Sequence, residues 1–90
     1  EYEFSKYNFE LANIEMLKVF FDESKKECEN LIKNNLPLPA YDYCLKCSHL
    51  FNLLDARGSI SVTERARYIL EIRNLAKETA ALYLKLYEKE

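Results

Sequence analysis

The chain has 90 residues, a formal net charge of −2 and 49% hydrophobic residues, among them seven Tyr and five Phe. One glycine and two prolines exclude a low-complexity chain or a turn-rich all-β chain. The slightly acidic balance, with a sequence pI of about 5.5, excludes a domain that is basic throughout, so any nucleic-acid contact would have to be a local patch.

Ninety residues make one domain. A chain this short buries only about 60–65% of its unfolded surface, which leaves a thin stability margin. No run of 18 apolar residues is present, so no membrane span is expected. No basic segment leads into an apolar one at the start, so no signal peptide is expected either. Three cysteines, an odd number, suit a reducing compartment better than a disulfide framework, and the chain reads as cytoplasmic. The first residue is Glu1 rather than Met, which reads as a piece of a longer protein.

Residues 1–12 place Tyr2, Phe4, Tyr7 and Phe9 in near-alternation with polar residues. That pattern is strand-like, but a lone strand has nothing to pair with. The segment is expected to be an extended lead-in docked on a helix.

Three helices follow, over about 13–34, 39–54 and 61–88. Asn13 is a good N-cap for the first. Its apolar face runs Ile14, Leu17, Phe21, Cys28 and Leu31, in steps of three and four or their multiples, with Ser24 filling the gap. The opposite face is charged and reads as solvated, with Glu15–Lys18 and Asp22–Lys25 or Asp22–Lys26 as candidate pairs. Asn34 and Asn35 suit its C-terminus, because Asn tolerates the left-handed conformation found there. Leu36-Pro37-Leu38-Pro39 reads as a stiff connector, with Pro39 opening the second helix. The expected core face of that helix is Tyr41, Cys44, Ser48 and Phe51.

Gly58, the single glycine, is placed to take a positive φ between the second and third helices. Ser61 and Glu64 match a capping box that starts the third. The main stripe of the third helix reads Val62, Ala66, Ile69, Ile72, Ala76, Tyr83 and Leu86, with Tyr68, Leu75 and Leu82 as a second row. A stripe this broad touches two neighbours rather than one. The expected fold is all-α: a three-helix antiparallel up-down-up bundle with an extended N-terminal lead-in and a long third helix.

Two constellations invite a chemical reading. Cys44, Cys47 and His49 have a spacing reminiscent of a metal site, but on a helix His49 lies about 200° round from Cys47. Structural zinc needs convergent ligands, so these read as buried thiols, with no metal assigned. The second constellation is basic: Arg57, Arg65, Arg67 and Arg73, with Asp55 beside them. Arginines early in a helix oppose its dipole. Pairing with Asp55, Glu64 and Glu71 would make them structural, whereas free guanidinium groups would make a contact surface for RNA phosphate or for an acidic partner. No catalytic, cofactor-binding or metal-ligating residue is assigned.

The run Leu36–Tyr43 followed by Phe51–Leu70 resembles the C-terminal helical domain of the bacterial glycyl-tRNA synthetase alpha subunit. Tyr7–Glu10 and Arg73–Tyr83 fit the same family, and the resemblance covers essentially the whole chain. It implies a class II aminoacyl-tRNA ligase that uses ATP and magnesium to join glycine to its tRNA through glycyl-adenylate. It also implies two kinds of subunit, alpha and beta, usually two of each, with the catalytic motifs in a core ahead of this domain. The fragment alone is expected to be inactive and to need no cofactor. Its expected partners are the beta subunit and the alpha catalytic core, with glycine tRNA a further candidate and no membrane contact. Asp55, Arg57, Arg65, Arg67 and Arg73 are the candidate contact residues. The alternative is a stand-alone helical protein- or RNA-interaction module whose likeness is incidental.

Overall fold

A computed structural model describes residues 1–88, and every described element is helical. In order these are α1 (Tyr2–Lys6), a wide π turn (Tyr7–Leu11), α2 (Ile14–Lys33), α3 (Pro37–Arg57) and α4 (Val62–Tyr87). The expected extended lead-in is therefore corrected: four α-helices replace three, and residues 2–11 are helical. The aromatic alternation misleads because no strand stands beside it to accept its backbone hydrogen bonds, and a helix satisfies them locally. The helix loosens at its end, where Ala12 N–H donates to the Tyr7 carbonyl at 2.9 Å across five residues.

Asn13 caps α2 by accepting from Met16 N–H at 3.0 Å. At the other end Asn35 takes φ 63°. Asn35 N–H bonds the Ile32 carbonyl at 3.0 Å and Leu36 N–H bonds that of Leu31 at 2.9 Å, a Schellman closure built on asparagine. The next helix starts earlier than expected, at Pro37 rather than Pro39. Both prolines fit in its first turn, where backbone N–H groups have no helical partner to lose. It ends at Gly58, which has φ 67°.

The core face of α3 also differs from expectation. Its buried residues are Pro37, Ala40, Cys44, Cys47, Phe51 and Leu54, a continuous three-four alternation. Tyr41 is 52% exposed and Cys47 takes the inward place assigned to Ser48. The smaller residues win because they let α2 approach closely: Cys28 Sγ donates to the Ala40 carbonyl at 3.2 Å, and Cys47 Sγ faces the Phe21 carbonyl at 4.0 Å. These two contacts set α2 and α3 antiparallel.

On α4 the second row is the more deeply buried one, and of the expected main stripe only Ile69 and Ile72 pack against the core. Tyr68, Leu75 and Thr79 are buried, while Val62 is 87% exposed. Tyr68 is the keystone, its ring edge-on to Phe21 at 4.6 Å and tilted against Phe51 at 6.0 Å. Nor is the charged face of α2 simply solvated. Lys18 reaches Glu64 at 3.5 Å and Lys25 reaches Glu71 at 3.9 Å, both on α4, in place of the expected local partners. The result is a slab of 49 × 29 × 18 Å.

Candidate functional site

The junction between α3 and α4 holds the basic cluster. Its geometry comes from turn and cap chemistry. Gly58 N–H bonds the Asp55 carbonyl at 3.0 Å, closing α3. Ser61 Oγ accepts from Glu64 N–H at 3.0 Å and Ser61 N–H donates to Glu64 Oε1 at 3.1 Å, the two arms of a capping box. The bond from the Ser61 backbone, aided by Lys18 and Arg67, holds the Glu64 carboxyl below its ordinary range.

The five candidate residues fall into three environments. Arg57 turns inward, and its Nε donates to the Ala12 carbonyl at 3.0 Å, tying the N-terminal segment to the end of α3. Arg65 and Asp55 form an exposed pair, with Nε to Oδ1 at 3.1 Å, and the guanidinium lies 5.9 Å from the centroid of Phe51. Arg67 donates to Glu71 at 2.9 Å and covers the Tyr68 ring at 4.5 Å. The hydrogen bond to Glu71 raises the arginine pKa further, so its charge is fixed. Glu71 takes two cations, Arg67 and Lys25, yet its Oε1 is buried without a protein hydrogen-bond partner.

Arg73 stands apart. It is exposed, and among the described residues it makes no ion pair. It borders a groove of about 350 Å³ between α3 and α4 with Ser48, Phe51, Asn52, Ile69 and Ile72. Arg65 and Arg73 both line the adjoining hollow on α4, beside Val62, Ala66, Ile69 and Leu70. Arg67 faces the other way, toward Lys25 and α2. The structure thus brings Asp55, Arg65 and Arg73 to one side and leaves Arg57 and Arg67 in internal bonds.

A second groove of about 350 Å³ lies nearer the C-terminal end of α4, lined by Pro37, Leu38, Tyr41, Ala76, Thr79, Ala80, Tyr83 and Leu84. Sequence reading assigned Tyr41, Ala76 and Tyr83 to the core. Their periodicity is real, but it marks an outer face.

The three thiols are free and buried. Burial pushes all three upward, and Cys47, with neighbouring Cys28 adding to the effect, is pushed up to about 12. They are protonated packing groups. Among the described residues no three His, Cys, Asp or Glu side chains converge on a point, and the carboxylates at this junction already face Arg or Lys, a donor set that does not fit magnesium. No described helix is long and apolar enough to cross a membrane.

Fold and site together define an all-helical module whose outer faces carry exposed apolar and arginine side chains. The chain belongs to the glycyl-tRNA synthetase alpha subunit family, whose sequence profile matches residues 1–88. It is similar to the glycine–tRNA ligase alpha subunit of Rickettsia bellii (strain OSU 85-389), with 56% identity over 86 residues. That alignment covers 96% of this chain and 30% of the relative's length. The likeness is therefore that of a family member and not incidental.

Proposed function

We propose that this segment is a C-terminal accessory and assembly domain of a glycine–tRNA ligase alpha subunit. The parent enzyme attaches glycine to its tRNA with ATP through glycyl-adenylate. It works in the cytoplasm as a heterotetramer of alpha and beta subunits, and a class II core outside this segment performs the chemistry. ATP and magnesium belong to that core. The observation that carries the reading is the 56% identity to a glycine–tRNA ligase alpha subunit across nearly the whole chain.

Asp55, Arg65 and Arg73 are the proposed contact residues toward beta subunit or catalytic core. Arg57 and Arg67 enter through the elements they hold in place. Protein contact is preferred over RNA contact because the chain carries a net charge of −2 and Lys18, Lys25, Arg65 and Arg67 each have a carboxylate neighbour. Titrating the alpha subunit with purified beta subunit, and separately with glycine tRNA at several salt concentrations, tests this. The proposal expects beta binding that is weakened in an Arg65→Ala/Arg73→Ala variant. RNA binding with a steep salt dependence that vanishes in the same variant would replace protein contact by phosphate contact.

A further inference from the structure

The N-terminal arm stands off the body of the fold. α1 comes close to no element but the π turn that follows it, and the π turn lies against α3. Arg57 holds the base of the arm through the Ala12 carbonyl, and Ala12 is buried. Outward from there, no residue of α1 or of the π turn is buried. Tyr2 is 73% exposed, Phe4 75%, Phe9 60% and Leu11 67%. Isolated helices shorter than about 12–15 residues are marginal in water at best. Ten helical residues that leave these side chains in solvent and send none into the core call for a covering surface.

We infer that the arm seats on the remainder of the same polypeptide, against an apolar surface that carries a lysine or arginine. Phe4 and Tyr7, one helical turn apart, flank a cleft of about 300 Å³ with Glu3 at its edge. Lys6 is already paired with Glu10 at 2.9 Å. Glu3 makes no ion pair among the described residues. A basic side chain entering the cleft lays its aliphatic stem between the two rings and brings its charge to the Glu3 carboxylate.

The same chemistry turns away other occupants. An RNA phosphate meets Glu3 as a like charge, and a second copy packed on the same face brings two Glu3 carboxylates together. The length of the relative supplies the source of the surface. The alignment covers 30% of it, so more than two thirds lies outside this segment. A surface tethered in the same chain meets the arm at an effective concentration on the order of millimolar, whatever the supply of other subunits. Asp55, Arg65 and Arg73, at the α3–α4 junction, are then left for the beta subunit. This seating presupposes that the segment belongs to a ligase alpha subunit.

Amide hydrogen exchange of the intact alpha subunit, with no beta subunit present, provides the test. The amides of residues 5–12, which donate within the arm, should exchange about a hundredfold or more slower than in unfolded chain. Phe4→Ala/Phe9→Ala should speed them about tenfold or more while α2 to α4 keep their rates. Alanine is the better helix former, so faster exchange reports a lost contact and not lost propensity. Glu3→Gln should speed them as well, more at low salt than at high salt. Exchange at the unfolded rate, exchange indifferent to the alanine pair, or protection that appears only when beta subunit is added would each overturn the inference, the last by giving the arm to beta subunit. Glycylation of tRNA by the wild-type subunits, measured in parallel, tests the ligase reading on its own.

Discussion

Replacing Tyr68 by Ala removes the side chain on which all three long helices converge. Tyr68 is 2% exposed, and its ring meets Phe21 of α2 at 4.6 Å and Phe51 of α3 at 6.0 Å. Truncating a buried aromatic to Ala costs about 3–5 kcal/mol. A domain of this length holds roughly 5–13 kcal/mol in all, at about 0.05–0.15 kcal/mol per residue. One substitution therefore consumes a large share of the margin, and urea unfolding followed by circular dichroism should show the midpoint collapse. Tyr68→Phe keeps the ring and should cost less than about 1.5 kcal/mol. A cycle with Phe21→Leu and Tyr68→Leu should return a coupling of about 0.5–1.5 kcal/mol from the edge-on pair. A loss below about 1 kcal/mol for Tyr68→Ala, or a coupling near zero, would show that this ring does not join the helices.

The cap should titrate. Ser61→Ala is expected to cost about 1 kcal/mol. Glu64 carries a depressed pKa in the folded state, first through its bond from the Ser61 backbone, so its contribution is present above the ordinary value of 4.5 and is lost as pH falls through the lowered one. Wild type should lose stability over that acid window while Glu64→Gln does not, and equal acid slopes would contradict the cap. Arg57→Ala should cost about 1.5–3 kcal/mol by freeing the Ala12 carbonyl. Limited proteolysis should then cut within residues 7–13 while α2 to α4 stay protected; unchanged protection there would show that the bond does not hold the segment. The thiols set the alkaline limit. The Cys47 pKa is raised in the folded state from 9.0 to about 12, so folded protein keeps a proton that unfolded chain releases, and unfolding free energy should fall as pH rises between those values. A flat profile, or rapid thiol labelling of native protein, would contradict burial of the three cysteines.

Local chemistry was the legible part of the sequence. The Asn13 cap, the Gly58 turn and the Ser61–Glu64 box depend on residues within a few positions of each other, and each stands where it was read. The three long helices were equally clear, because periodicity over twenty residues outweighs any single misfit, whereas the short helix at Tyr2–Lys6 was hidden by its alternating aromatics. Which apolar line faces inward was not legible on α3 or α4. Both helices carry two apolar lines, and the choice rests on tertiary closeness: Ala40, Cys44 and Cys47 admit α2, whereas Tyr41 is too large for that contact. The error on α4 has the same cause. Of its expected main stripe, Ile69 and Ile72 pack against the core while Val62, Ala66, Ala76 and Tyr83 are exposed, and its inner line includes Glu71 and Thr79, whose polarity hides it. Cross-helix ion pairs such as Lys18–Glu64 and Lys25–Glu71 were invisible because sequence shows only neighbours on one helix. Of the arginines, sequence marked the cluster but could not divide it. Arg57 points inward only because Ala12, 45 positions away, presents a carbonyl to it.

The role proposed for this segment is that of an assembly domain in a glycine–tRNA ligase. Glycylation of tRNA by intact alpha subunit plus beta subunit, against alpha subunit truncated before Tyr7 plus the same beta subunit, tests it most directly. Truncation is expected to lower glycylation sharply and to stop the two subunits from co-sedimenting. Full activity with a normal alpha–beta complex after truncation would contradict it.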